Sequence, residues 1–146
     1  ISTYELGHQP LHLATAASAL IAAGHETRCL DLAIDPWNET DVEWAETVGI
    51  SVPMHTAMRL AEKVATRVRG TRPMLPIATF GLYAGIDHHP DLQTSIDASF
   101  AGAYEPNLVA WIDNLETSVN PAPPSVAHYG IYEVSRRWDG ASCWIR

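Results

Sequence analysis

The sequence predicts an α/β domain in which a parallel sheet is covered on both faces by helices. Three observations carry that expectation. Segments of strand character alternate with segments of helical apolar period along the chain, the pattern of strand–helix–strand units. The run Val48-Gly49-Ile50-Ser51-Val52 passes through Pro53 and Met54 straight into a helical pattern from His55. That is the form of a strand-to-helix turn at the carboxyl edge of a parallel sheet, where open α/β folds place their ligands. The chain has 146 residues, 47% hydrophobic and 18% charged, enough for one continuous core and too few for two full domains.

Each element has its own justification. Ile1 to Tyr4 reads as the end of a buried strand; strands usually run about 5 residues, so a preceding piece is expected. Leu13, Ala16, Ala17, Leu20 and Ile21 repeat at helical spacing within Leu11 to Ala23, and Gly24 is a C-terminal stop. Glu26 to Ile34 reads as a strand broken by Asp35-Pro36-Trp37-Asn38. Asp41 is expected to cap a short acidic helix to Glu46, and Val48 to Val52 is the next strand. His55 to Arg69 carries Ala57, Leu60, Ala61, Val64 and Val68 on one face. Leu75 to Phe80 is a strand, Gly81 to Gly85 a loop, Pro90 to Ile96 a short helix and Ala98 to Ala101 a weak strand. The last helix is Glu105 to Leu115, with Pro106 in its first turn. Five strands so spaced predict a Rossmann-like or flavodoxin-like three-layer α/β/α fold with doubly wound strand order 2-1-3-4-5.

Composition narrows the function classes. Nine basic and seventeen acidic residues give a net charge of 9 − 17 = −8, which repels phosphate backbones and argues against nucleic acid. No apolar run approaches a membrane span, and no basic-then-apolar leader opens the chain, so a cytoplasmic location without membrane contact is expected. Cys29 and Cys143 form neither a disulfide scaffold nor a metal-spaced pair.

The predicted strand ends bring one set of loops to a common rim: Glu5-Leu6-Gly7-His8-Gln9-Pro10, Ser51-Val52-Pro53-Met54-His55, Gly81-Leu82-Tyr83 and Gly102-Ala103-Tyr104-Glu105-Pro106. These are glycines, small polar groups, aromatics and imidazoles with hardly a cation. Phosphate-cradling GxGxxG and GxxxxGK[ST] motifs are absent. A large, mostly apolar cofactor fits this rim better than a nucleotide held by those motifs.

The order and spacing of Tyr4-Glu5-Leu6-Gly7-His8-Gln9-Pro10, Ala22-Ala23-Gly24-His25-Glu26, Ile50-Ser51-Val52-Pro53-Met54-His55-Thr56, Phe80-Gly81-Leu82-Tyr83 and Gly102-Ala103-Tyr104-Glu105-Pro106 resemble the N-terminal cobalamin-binding domain of cobalamin-dependent radical S-adenosylmethionine proteins. The resemblance covers residues 1–117. It implies a Rossmann-like domain with cobalamin, vitamin B12, lying over the carboxyl rim. The residues lining it would be Leu6, Gly7, His8, Gln9, Pro10, Ser51, Val52, Pro53, Met54, His55, Gly81, Leu82, Tyr83, Gly102, Tyr104 and Glu105. Ser51 would offer a hydroxyl, Gly81 a close backbone approach and Glu105 an acceptor for amide or ribose groups. Each has a structural alternative: Ser51 as a helix cap, Gly81 as a turn, Glu105 as an acidic residue favoured at a helix start.

Two departures shape the expectation. The Asp-x-His-x-x-Gly motif that ligates cobalt from below is missing, so the implied mode is base-off without a lower histidine. In residues 118–146, the Pro-rich Asn120 to Ser125 reads as a linker. Tyr132-Glu133-Val134-Ser135-Arg136 is similar to the start of the radical domain, yet the three cluster cysteines are replaced by Trp138, Ser142 and Ile145. Tryptophan and isoleucine are no substitutes for thiolates, so no iron–sulfur cluster and no catalytic residue is expected in this chain. Its reaction would then belong to a radical domain in cis or in trans. Asp87-His88-His89 reads as a solvated loop, Asp31 and Asp35 as surface acids, and Trp37, Trp44 and Trp111 as packing residues. The competing function is a flavodoxin-like interaction or regulatory domain that has lost its cofactor.

Overall fold

The computed structural model describes residues 1–86 and 95–117. Most of the helix expected at 90–96, the Asp87-His88-His89 loop and the tail 118–146 lie outside the described residues. The elements follow in the order α1 (Leu11–Ala22), α2 (Glu39–Trp44), β1 (Val48–Ser51), α3 (His55–Thr71), β2 (Ile77–Phe80), β3 (Ala98–Phe100) and α4 (Tyr104–Thr117). The chain is therefore an α/β domain whose three named strands form one parallel sheet in the order β1-β2-β3.

Residue chemistry explains why β2 is central. Ile77, Ala78 and Thr79 are fully buried and Phe80 is 2% exposed, the apolar run of a parallel strand covered on both faces. Its one polar side chain is answered across the ladder: Thr79 Oγ1 lies 2.9 Å from Ser99 Oγ. Side chains alternate between two cores. Val48, Ile50 and Ile77 join Val42, Met58, Ala61, Val64 and Val68 from α2 and α3. Ala78, Phe80, Ala98 and Phe100 join Leu13, Ala16, Tyr104, Leu108 and Trp111 from α1 and α4. Each fully buried Ile or Val contributes about 1.5–3 kcal/mol.

The two further strands expected at the amino-terminal side take a reduced form. Ser2 donates to the Leu30 carbonyl (2.8 Å) and accepts from the Leu32 amide (3.0 Å), giving an isolated parallel bridge between Ser2 and Asp31. On its other side the Ile1 nitrogen donates to the Gly49 carbonyl (2.6 Å) and the Ser51 amide donates to the Ile1 carbonyl (2.8 Å). The segment is thus held between residues 30–32 and β1. The strand expected over Glu26 to Ile34 fails for a local reason. The Asp31 carboxylate accepts from the Ala33 amide (3.1 Å), the Asp35 carboxylate accepts from the Asp31 amide (3.2 Å), and the Ile34 and Asp35 amides both turn back to the Asp31 carbonyl. Asp side chains compete in this way with sheet ladders. Asp31 and Asp35 are thereby accounted for as turn formers.

Helix ends differ from expectation in two places. The cap of α2 is Asn38, whose side chain accepts from the Thr40 amide (3.1 Å), and Asp41 lies inside the helix instead. No side chain caps α3, which begins after Met54, so Ser51 does not act as its cap. Gly24 ends α1 as expected, at φ 100° with its amide on the Ile21 carbonyl.

Arginines fasten the lower edge of the sheet. Arg69 donates to the carbonyls of Pro73 (2.8 Å), Leu75 (2.7 Å) and Ser95 (3.2 Å) and pairs with Asp97 (2.7 Å). Asp97 also accepts from the Ile77 amide at 2.7 Å. Arg72 reaches the carbonyls of Val42, Glu43 and Ala45 at the end of α2, where the helix dipole favours a cation. In contrast, Arg67 stacks on Trp37 and pairs with Glu39 among side chains that are 54% and 48% exposed.

Arg69→Ala is expected to lower the unfolding free energy by about 2–3 kcal/mol, because carbonyls and a carboxylate lose a charged donor together. Arg67→Ala is expected to cost less than about 1 kcal/mol, as exposed ion pairs do. Urea denaturation of the two variants side by side measures the difference.

Candidate functional site at the carboxyl rim

The loops that follow Thr3, β1, β2 and β3 leave the same edge of the sheet. Conformationally special residues concentrate there: Leu6 (φ 54°), Gly7 (φ 77°), Gly81 (φ 116°) and Gly102 (φ 68°). Leu6 is the one non-glycine residue with positive φ among the described residues, and it is 61% exposed. A branched-chain residue in that region is strained, and such strain gathers at ligand-contacting loops. The loop is closed by the His8 amide on the Glu5 carbonyl at 2.9 Å.

Gly81 serves an internal approach. A Cβ there would sit 3.0 Å from the Val52 carbonyl oxygen and 3.1 Å from its carbon. The same carbonyl accepts from the Tyr83 amide (3.0 Å), while the Val52 amide donates to Phe80 (2.7 Å) and the Gly81 amide to Phe100 (3.1 Å). The glycine thus lets the loops after β1 and β2 lock together. What presses on the Cβ side of Gly81 is the protein's own backbone.

Beneath the rim, one cross-strand row holds the most informative groups. Ser51 is opposite Phe80, and Phe80 opposite Phe100; the bonds of Ile1 and Ser2 extend that row to Ser2 and Asp31. Ser2 and Ser51 are fully buried; the Ser2 hydroxyl has no hydrogen-bond partner among the described residues, and the Ser51 hydroxyl makes no full hydrogen bond, with only the Glu5 carboxyl in reach. Thr3 Oγ1 and Glu5 Oε1 are likewise buried without one. A buried polar group left unpaired costs about 1–3 kcal/mol, so this cluster weighs against the stability of the fold as it stands. Burial pushes the Glu5 carboxyl above its usual range; the Asp31 charge adds to the rise and the Ser51 hydroxyl opposes it. A carboxyl so placed holds its proton more readily and can donate as well as accept.

A second polar group seals the neighbouring helix ends. The Tyr104 hydroxyl is 2.6 Å from Thr15 Oγ1, 3.2 Å from His12 Nδ1, and donates to the His12 carbonyl at 3.1 Å. Its ring packs on Phe80, with centroids 5.1 Å apart. Burial lowers the His12 pKa, with Glu105 opposing. Glu105 itself sits in the first turn of α4, where the helix dipole favours an acid.

The residues expected at the site fall into three kinds. Exposed on the rim are Leu6, Gly7, His8, Gln9, His55 and Leu82. Half-buried behind them are Pro10, Pro53, Met54, Tyr83, Gly102 and Glu105. Ser51, Val52, Gly81 and Tyr104 are buried, Val52 fully so within the core beside α3, reaching the rim only through its backbone. Apolar side chains crowd the rim surface: Leu6, Leu11, Ile34, Leu82 and Ile86 are 48–74% exposed. Ser2, Thr3 and Thr15 were not expected at the site. The available signal was the matching position of Ser2 and Ser51 at the ends of adjacent strands. Among the described residues no three His, Cys, Asp or Glu side chains converge as a metal site, and no helix is long and apolar enough to cross a membrane. Searches of the chain against protein-family models, curated proteins and solved structures find no match.

Gly81→Ala is expected to destabilise the fold by about 2 kcal/mol or more, since positive φ and a backbone clash act together. Gly7→Ala, where nothing lies within 4 Å of the added carbon, is expected to cost about 1 kcal/mol or less. Equilibrium unfolding of both variants tests the contrast. The His12 shift has its own consequence. Because its folded pKa lies below 6.5, the unfolded chain takes up the proton first, so stability present above pH 6.5 is lost as pH falls through the lowered value. Unfolding free energies measured between pH 7.5 and 5 should decline with a slope that His12→Gln reduces.

Proposed function

We propose that the chain is a cobalamin-binding module, carrying the corrinoid over the carboxyl rim for a radical-type reaction performed by a catalytic domain in cis or in trans. The observation that carries this reading is the row of buried hydroxyls, Ser2 and Ser51, unpaired beside Glu5 and set below a rim of exposed leucines and isoleucines. A corrinoid presents a broad apolar ring edged with uncharged carboxamides. Hydroxyls donate to and accept from amides and a carboxyl accepts from them, and the lack of a cation in this group disfavours a phosphate in its place. The donor set therefore fits. The resemblance of residues 1–117 to cobalamin-binding domains is a separate support, as is the finer topology: residues 30–32, Ile1–Thr3, β1, β2 and β3 lie in the sequence that the flavodoxin-like order 2-1-3-4-5 requires.

In this reading the bound corrinoid supplies the metal chemistry, and the chain's residues bind and orient it. Ser2, Ser51 and Glu5 take carboxamides, while Leu6, Leu82 and Tyr83 cover the ring edge. His12 is engaged with Tyr104 and would serve to hold that helix end in place.

Incubation with hydroxocobalamin, desalting and a visible spectrum test the proposal: a coloured protein with bound corrinoid is expected. A colourless protein would instead favour the interaction or regulatory domain. Ser51→Ala sharpens the test, because it removes an unpaired hydroxyl. The variant is expected to unfold at equal or higher urea concentration than the parent chain yet bind corrinoid about tenfold more weakly. A hydroxyl with a purely structural role would lower stability and leave binding unchanged.

A further inference from the structure

A second set of unpaired groups lies at the opposite, amino-terminal half of the sheet. A cavity of about 750 Å³ opens there between two extended segments: Arg28, Cys29 and Leu30, which belong to no named strand but lead into the Ser2–Asp31 bridge, on one side, and Thr47 with Val48 and Gly49 of β1 on the other. Ile1 stands at its upper end, bonded to Gly49 and Ser51 of the β1 wall, and Ser2 bonds Leu30 and Leu32 of the other wall. In a parallel strand, alternate residues turn both backbone groups to the same neighbour. Val48 turns to β2, donating to the Pro76 carbonyl at 2.9 Å, so the Gly49 amide and the Thr47 carbonyl turn to the cavity. By the same alternation from Ser2, which takes the Leu30 carbonyl and the Leu32 amide, the Leu30 amide and the Arg28 carbonyl face it from the other wall. Neither the Gly49 nor the Leu30 amide has an acceptor among the described residues.

Backbone groups left open along a sheet edge are a ready template for another strand. The walls offer an amide and a carbonyl each, spaced as a strand would need them, which no compact small molecule reproduces along both edges at once. The position also argues against a ligand pocket, since α/β sheets bind ligands at the carboxyl edge. Both remaining faces are largely apolar, although Asn38, Asp41 and Glu46 also line the cavity on the α2 side. Leu13, Ala16 and Ala17 of α1 close one, and Val42, Ala45 and Trp37 close the other. A strand there would be buried on both sides and would read as a continuous hydrophobic run.

We infer that this slot holds an extended apolar strand of about five residues that joins the Ile1 nitrogen and runs parallel to β1. The residue immediately before Ile1 pairs with Arg28 and Leu30 and packs toward α1. The one before that pairs with Thr47 and Gly49 and packs toward α2. Continuity points to a segment of the same chain, because Ile1 and Ser2 between them already make the next bonds of that ladder on both walls.

The test compares three chains: residues 1–146 as they stand, the same chain preceded by about five Val, Ile and Leu residues, and one preceded by a Gly/Ser segment of equal length. Hydrogen exchange is read at the Gly49 and Leu30 amides. The apolar extension is expected to slow both by at least about tenfold, and the Gly/Ser extension to leave both unchanged. Cys29, on the slot wall, gives a second reading by mass spectrometry of its alkylation, resolved from that of Cys143: the apolar extension alone should slow it. Unchanged exchange and alkylation with the apolar extension would overturn the inference. Protection that grows with concentration in the unextended chain would also overturn it, giving the slot to a second copy.

Discussion

A parallel sheet covered on both faces removes its polar groups from water, and each must then find a partner inside the protein. That constraint organises the molecule. Where the chain supplies partners, the structure is closed: Thr79 meets Ser99 across the ladder, Asp97 takes both the Ile77 amide and Arg69, and Tyr104 is held by His12 and Thr15. A net hydrogen bond is worth only about 1 kcal/mol, but an unmade buried one costs more than that. The asymmetry makes the unpaired groups more informative than the paired ones.

They fall at two ends of the sheet and call for different occupants. At the carboxyl rim they are side-chain hydroxyls and a carboxyl, irregularly placed, beneath exposed apolar residues on loops of special backbone geometry. That chemistry suits a ligand with amide edges. At the amino-terminal half they are backbone amides and carbonyls at strand spacing between apolar faces, which suits another strand. The two assignments are linked through Ile1 and Ser2. The short segment that positions Ser2 beside Ser51 is also the end of the proposed ladder, so filling the slot would stiffen the floor of the rim.

Much of the fold was legible in the sequence where period and punctuation agree. The apolar face of α3, the Gly24 stop after α1 and the strand-to-helix junction after β1 all stand where apolar spacing and glycine chemistry put them. Other expectations failed through competition that a linear reading cannot weigh. Asp31 and Asp35 look like strand-end acids in sequence, but their side chains capture local amides and bend 31–35 into a turn. Asn38 displaced Asp41 as a cap because its carbonyl reaches the Thr40 amide first. At the rim, the glycines were legible as special positions, whereas the reason for Gly81 was not: the Val52 carbonyl that presses on it comes from a neighbouring loop. Ser2 and Ser51 are ordinary serines until pairing across strands sets them side by side and burial removes their water.

The central claim is that the unpaired hydroxyl row is the floor of a corrinoid site. Amide chemical-shift mapping during a hydroxocobalamin titration tests it at residue resolution. The account predicts saturable shifts concentrated at Ser2, Glu5 to Gly7, Ser51 to Met54 without Pro53, Gly81 to Tyr83 and Gly102, with α2 and the outer face of α3 unmoved. No shifts, or shifts centred away from that row, would contradict it.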